Sequence, residues 1–222
     1  MRKPSKLQCD YLAEIYQLRH IEASDHNGFV STADLGDRLF TSQSTVNRTI
    51  DRLRAAGLVQ HERYVGVQLT ERGQQEALRV LQKQAIIETF LVSVMGLGWH
   101  EVYEEARRMR HHVGEMVLAR MWELAGRPER SPFGERIAND GAGQSQEINL
   151  VDAGLGRSYR IARILTRQAE LLEYLAGLGL MPDSWLKLLH KAPFEGPLQI
   201  ELKGENRIVG YELARKLTVT SA

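Results

Sequence analysis

The chain has 222 residues, of which 43% are hydrophobic and 26% are charged, a composition typical of globular proteins that allows two or three small domains. A formal net charge of +1 excludes the blanket phosphate binding of a strongly basic protein, and a single cysteine excludes an intramolecular disulfide and a cysteine zinc cluster. The sequence has no apolar run of about 18 residues and no apolar core near its start, so we expect a cytoplasmic protein without membrane segments.

The first predicted element is a helix over residues 6–20. Ser5 and Gln8 have the spacing of a capping box, in which each residue satisfies a backbone N–H of the other. Three apolar residues of this helix share one face: Tyr11, Ile15 and Leu18. The helix is therefore expected to pack on a core along that face.

Two short helices and a β-ribbon are predicted within residues 30–73. Ser31 can cap the first helix, which ends near Leu39. The second begins at Ser42, and its apolar residues recur with helical spacing at Val46, Ile50 and Leu53. Gly57 can end it in a left-handed conformation, and two extended segments then flank a turn at 63–66. This order of elements is that of a winged helix–turn–helix.

The polar residues of the second helix suggest what it contacts. Short donors and acceptors and one arginine near a helix N-terminus suit a helix that enters the DNA major groove. Residues 42–65 carry four arginines against two acidic residues. We therefore predict binding to double-stranded operator DNA through these residues, the last two at the wing tip: Ser42, Gln43, Ser44, Thr45, Asn47, Arg48, Arg63 and Tyr64. The alternative is an ordinary amphipathic helical hairpin followed by a β-turn.

A helical block is predicted after the ribbon. Thr70 can cap a long helix that ends at Gly96, with these residues pointing inward: Leu78, Leu81, Ile86, Phe90, Leu91 and Val94. Two further helices are expected near 100–112 and 114–125. The apolar residues between 86 and 95 exceed what one helix needs, which predicts packing on a second subunit and hence a homodimer.

The residues after 156 have the short strands that are typical of a small β-barrel. Short strands are predicted at 159–164, 185–189, 198–203, 208–211 and 217–219, with one helix near 170–178. Trp185, Phe194 and Tyr211 are expected in the barrel core rather than on a ligand surface. The predicted fold class is α+β, with a winged helix–turn–helix at 1–74, a helical dimerisation domain at 75–140, a linker at 141–156 and an SH3-like β-barrel at 157–222.

Several motifs together resemble the diphtheria-toxin-repressor family of metal-dependent transcriptional regulators. They are DYLAEIYQL (10–18), the winged module, VYEEARRMRHHV (102–113) and RSPFGERI (130–137). The segments LLEYLAGLGLMPDSW (171–185) and APFEGPL (192–198) resemble the SH3-like domain of ferrous-transport accessory proteins. The resemblance implies a homodimeric repressor that binds operator DNA when Fe²⁺ or Mn²⁺ is plentiful.

The resemblance also implies where the metal would bind. The primary site would use positions 10, 107, 110 and 111, which here are Asp10, Arg107, Arg110 and His111. The second site would use Gln84, Glu88 and Tyr103, of which only Glu88 is a carboxylate. Because an arginine guanidinium is always protonated and offers no lone pair, the primary site is expected to be degenerate.

Three interpretations of Arg107 and Arg110 follow. They can pair with Asp10 as a built-in replacement for the metal, bind an anionic effector, or lie as solvated charges on the helix surface.

No phosphate-binding glycine loop or nucleophile–base pair occurs in the sequence, so an enzyme is not expected. A scaffold protein whose barrel binds peptides is the remaining class.

Overall fold

The computed structural model describes residues 4–21, 28–137 and 147–221. The chain forms two compact units, of which the first reaches to Gln84 and the second begins at Ala85. No helix in the described segments is long and apolar enough to cross a membrane. The predicted division into three domains stays a prediction.

The first unit begins with helix α1 (Lys6–Ile21). The capping box is confirmed, because the Ser5 N–H donates to Gln8 Oε1 at 2.9 Å and the Gln8 N–H donates to Ser5 Oγ at 3.3 Å. These two bonds satisfy donors that a helix start otherwise leaves unpaired. The predicted apolar face is buried as expected: Tyr11, Ile15 and Leu18.

Helices α2 (Thr32–Arg38) and α3 (Gln43–Ala55) form the helix–turn–helix. Ser31 Oγ accepts the Ala33 N–H at 3.1 Å, which confirms the predicted cap of α2. At the end of α3, Gly57 has φ +70° and the Leu58 N–H donates to the Leu53 carbonyl at 3.0 Å. This is the Schellman ending that the glycine predicts. The three apolar residues of α3 are fully buried: Val46, Ile50 and Leu53.

Strands β1 (Val59–Glu62) and β2 (Gly66–Leu69) form the antiparallel wing. Val67 exchanges two backbone hydrogen bonds with Val30, at 2.8 and 2.9 Å, which fixes β2 against the segment before α2. The position of the wing relative to α2 is therefore set by backbone hydrogen bonds at its base.

Helix α4 (Glu71–Ser93) spans the division between the units, and Thr70 Oγ1 accepts the Gly73 N–H at 3.0 Å as its cap. The helices α5 (Val102–Met109) and α6 (Glu115–Leu124) follow in the second unit. The prediction that Val94 points inward is wrong, because its side chain is 46% exposed. Val94 follows the last helical residue, where the chain turns towards Gly96 at φ +73° and leaves the buried face.

The second unit also contains a six-stranded antiparallel sheet of the SH3-like type. Its order is β3-β8-β4-β5-β6-β7. The strands are β3 (Ile148–Asn149), β4 (Ser158–Ile164), β5 (Trp185–Lys191), β6 (Leu198–Leu202), β7 (Glu205–Val209) and β8 (Leu217–Ser221). Helices α7 (Ala169–Leu178) and α8 (Tyr211–Ala214) lie between strands along the chain. The buried apolar residues of the strands, α7 and α8 share one core with the buried residues of α4 to α6 in the second unit.

The structure differs from the sequence prediction at two places in the second unit. Residues 147–156 of the predicted linker belong to the sheet unit, because β3 pairs with β8 and Leu150 is fully buried. The other linker residues, up to 146, lie outside the described residues. The strand predicted at 208–211 is shifted, because β7 already begins at Glu205 and Tyr211 starts α8. A two-residue turn at Lys203 (φ +52°) and Gly204 (φ +81°) places β7 earlier.

The expectation that the sheet's aromatic residues fill its core is wrong for two of the three. Trp185 is 53% exposed and Phe194 is 99% exposed, whereas Tyr211 is partly buried and packs against the core. Trp185 lies on the outward-facing side of β5, since the next residue, Leu186, is buried. Aliphatic residues on the inward-facing side of the strands fill the interior instead: Ile161, Leu186, Leu188, Ile200 and Val219.

Candidate functional site

The outward face of α3 carries the predicted base-contacting residues. The buried stripe of α3 fixes the helix rotation, and the opposite side is left to solvent. The polar residues on that side are exposed, except for the half-buried Thr45: Ser42, Gln43, Ser44, Asn47 and Arg48. One helix therefore presents two amides, a guanidinium and hydroxyls from its N-terminal half.

Hydrogen bonds order this face before any partner binds. Gln43 Nε2 donates to Asn47 Oδ1 at 3.1 Å, so the two amides one turn apart are held together. The Ser42 hydroxyl lies 3.0 Å from that of Ser44 and 3.1 Å from that of Thr45. Ser42 occupies the N-cap position but makes no side-chain cap, so its hydroxyl belongs to this surface cluster.

The wing tip adds a cationic and aromatic pair. The Arg63 guanidinium lies 5.1 Å from the centre of the Tyr64 ring. Tyr64 is 93% exposed and has φ +66°, a conformation that bulky residues rarely adopt. Further along α3, Arg54 forms an exposed ion pair with Asp51 at 3.1 Å. The two arginines therefore differ in their surroundings, because Arg63 lies against an aromatic ring whereas the charge of Arg54 is neutralised by a carboxylate.

Phe40 is a candidate that sequence reasoning missed. It lies between α2 and α3, is 93% exposed, and has φ +49°. The prediction for residues 30–73 rests on helical periodicity, to which a residue in a turn contributes nothing. The available signal was a large apolar residue between two helix ends, two positions before Ser42.

The positions that the resemblance implies as metal ligands are distributed over both units. In the first unit, Asp10 lies half-buried on α1 and Gln84 lies buried on α4. In the second unit, Glu88 and Tyr103 are buried, and His111 is half-buried just after α5. Within residues 4–21, 28–137 and 147–221, no group of three or more His, Cys, Asp and Glu side chains could hold a metal ion.

The two arginines at the remaining positions have different surroundings. Arg107 Nη2 lies 2.9 Å from Glu104 Oε2, one helical turn away, and its side chain is 32% exposed. Arg110 follows the last residue of α5 and is only 4% exposed. Arg110 is therefore not a solvated surface charge, which removes that interpretation for one of the two residues. Neither guanidinium can coordinate a cation.

Three family models match successive parts of the chain. The model described as "Iron dependent repressor, metal binding and dimerisation domain" matches residues 70–139, and the FeoA domain matches 148–221. A model of the MarR family matches residues 12–64. The first two overlap the helical block and the sheet, and the third overlaps the helix–turn–helix and part of the wing.

Curated relatives and a solved structure match more than two thirds of the chain. The iron-dependent repressor IdeR of Mycobacterium tuberculosis is 29% identical over 202 residues, which cover 84% of this chain and 87% of that protein. The diphtheria toxin repressor of Corynebacterium glutamicum is 31% identical over 163 residues, covering 70% and 68%. A solved structure of a manganese-dependent transcriptional repressor in complex with manganese is 30% identical with a TM-score of 0.86, covering 97% of this chain and 100% of that one.

Proposed function

The chain belongs to the iron-dependent repressor family of winged-helix regulators, and we propose that it is a homodimeric repressor that binds a specific operator in double-stranded DNA. The observation that carries this proposal is the exposed polar face of α3, set beside a wing with Arg63 at its tip. A helix N-terminus with amides and an arginine can reach base edges, and a ribbon tip can reach phosphates. The protein acts in the cytoplasm and is not an enzyme.

Exposed apolar side chains in the second unit support the homodimer. Val94, Met95 and Leu97 after α4 are 46%, 58% and 37% exposed. On α6, Met116 is 83% exposed and Leu124 is 51% exposed. Exposed apolar patches of this kind mark protein interfaces, and a dimer places two recognition helices about 34 Å apart on a palindromic site.

Roles within the α3 face follow from the reach of each side chain. We expect Arg48→Ala or Asn47→Ala to weaken binding to the preferred duplex by about 1–3 kcal/mol and to relax preference at one base pair, because each removes a base-edge contact. We expect Arg63→Ala to weaken binding to all duplexes alike, because the wing tip contacts phosphate. The measurement is a gel-shift titration on a duplex enriched from a random library and on an unselected duplex.

Arg54→Ala is the matched control for these variants, because Arg54 is an exposed arginine of the same helix that Asp51 already neutralises. Its affinity should stay within about twofold of the parent. Equal losses on selected and unselected DNA for Arg48, Asn47 and Arg63 would contradict the assigned roles. If no duplex is enriched, the proposal of sequence-specific binding fails.

The primary metal site is degenerate in this chain, and DNA binding does not require Fe²⁺ or Mn²⁺. The support is chemical, because two ligand positions carry guanidinium groups, one of them buried. Two cations in place of two anions change the local charge by as much as four units, which repels a divalent ion. The residues therefore do not fit the metal that the family name implies.

Operator binding measured with a chelator tests this proposal. We expect the affinity to stay within about twofold after treatment with EDTA and after Mn²⁺, Fe²⁺ or Zn²⁺ is added back. Loss of binding with EDTA that Mn²⁺ or Fe²⁺ reverses would contradict it. Binding that requires inorganic phosphate or a small carboxylate, with or without EDTA, would instead indicate an anionic effector, for which Arg107 and Arg110 are the candidate site.

A further inference from the structure

Two exposed aromatic residues of the first unit share an unusual backbone conformation. In the described residues up to Gln84, the non-glycine residues with positive φ are Phe40 and Tyr64. Each is 93% exposed, so neither ring gains the burial that would offset a strained backbone. Strain of this kind persists where the surrounding structure imposes it, and it concentrates at binding sites.

The turn that carries Phe40 is fixed by backbone hydrogen bonds on both sides. The Phe40 N–H donates to the Asp37 carbonyl at 3.3 Å, and the Thr41 N–H donates to the Gly36 carbonyl at 3.0 Å. Gly36 allows this closeness, since a Cβ there would lie 3.3 Å from the Thr41 oxygen. The ring is therefore held outward by a closed turn, three residues before α3 begins at Gln43.

We propose that Phe40 contacts the methyl group of a thymine on the major-groove edge of the operator, beside the bases that α3 reads. The inference rests on the proposed DNA-binding function. It adds a residue that determines specificity by apolar contact, whereas the residues of α3 act by hydrogen bonding.

The chemistry of DNA selects this partner for a phenyl ring. Phosphates and most base edges present charges, donors or acceptors, which a phenyl ring cannot match. The thymine methyl is the apolar group that a base pair presents in the major groove, and phenylalanine is among the residues that contact it. Because α3 enters the groove by its N-terminus, we expect a ring three residues before that terminus to lie on the same side of the module.

Thymine-to-deoxyuridine replacement tests the contact, because deoxyuridine differs from thymidine by this methyl group alone. The probe is the duplex enriched from a random library by the unmodified protein. At one thymine per half-site, deoxyuridine should weaken binding roughly tenfold, the effect of losing one buried methyl group in each half-site. Phe40→Ala should lose about the same factor on the thymine duplex, and the deoxyuridine change should then cost this variant nothing further.

Phe40→Asn supplies a second readout that a purely structural role would not give. Asparagine tolerates positive φ better than phenylalanine, so this variant should unfold at a temperature equal to or a few degrees above that of the parent, yet bind about tenfold more weakly. Phe194→Ala is the matched control, since Phe194 is also exposed at positive φ, in a turn of the second unit. Its affinity should not change.

The outcomes separate the inference from the proposed function. If Arg48→Ala weakens the selected duplex while Phe40→Ala does not, the function stands and the thymine contact is wrong. Equal losses for Phe40→Ala on selected and unselected DNA, or additive effects of Phe40→Ala and deoxyuridine, also overturn it. A shift of Phe40→Ala from dimer to monomer in sedimentation would place the ring in a protein interface instead.

Discussion

Gly73→Ala is expected to lower the free energy of unfolding by about 3 kcal/mol or more, or to prevent the first unit from folding. Gly73 lies in the first turn of α4, where an added Cβ would come 1.9 Å from the Leu58 carbonyl oxygen. That oxygen is held in place, because it accepts the Thr70 N–H at 3.1 Å. Neither backbone can yield without breaking the cap of α4 or the end of α3. Chemical denaturation followed by circular dichroism measures the change.

Two other glycines provide controls of different kinds. Gly177 is also helical, in α7, but has open space around it, so Gly177→Ala should stabilise the protein by about 0.5–1 kcal/mol. Gly57 has open space but φ +70°, so Gly57→Ala should cost about 1–2 kcal/mol from backbone strain alone. A Gly73→Ala protein as stable as the parent would show that α4 and the end of α3 do not approach this closely.

The elements that the sequence predicted well carry their signals within a few neighbouring residues. The capping box of Ser5 and Gln8, the cap at Ser31 and the stop at Gly57 each involve partners at most five residues apart. The buried stripe of α3 follows from periodicity in the same way. Local bonds and helical spacing therefore located the helix–turn–helix and its wing without knowledge of the rest of the chain.

The features that sequence reasoning misplaced depend on distant partners. β3 has only two residues in a stretch of mostly polar composition, and it is a strand because β8, about 70 residues later, pairs with it. Helix α8 has four residues, too few to show a period. Whether Trp185 faces the core or solvent depends on one step of the strand register, since a shift by one residue reverses every side chain.

The candidate site shows the same limit. The exposed polar residues of α3 could be named because the buried stripe defines the opposite face. Phe40 and the burial of Arg110 could not be found, because exposure in a turn and at a helix end depends on what the fold places there. The charge of Arg107 and Arg110, by contrast, follows from residue identity alone and needed no structure.

Reversing the charge at positions 107 and 110 should make operator binding dependent on metal. In the variant Arg107→Glu/Arg110→Glu, carboxylates replace guanidinium groups near His111, which gives oxygen and nitrogen ligands suited to Mn²⁺ or Fe²⁺. Without metal, carboxylates brought together repel one another, so we expect weak operator binding in EDTA. Mn²⁺ should then strengthen it by at least about tenfold, within the usual range of coupling between two sites. Gel-shift titrations with and without Mn²⁺ measure the factor.

Because Arg110 is buried, the double variant is also followed by thermal unfolding, and Mn²⁺ should raise its unfolding temperature but not that of the parent. Arg108→Glu is the matched control, since Arg108 lies on the same helix with a side chain that is 69% exposed. It should bind DNA equally with and without Mn²⁺. A double variant that folds and shows no response to Mn²⁺ in either measurement would mean that positions 107 and 110 do not control the DNA-binding unit. The arginines would then not occupy the position of a metal switch.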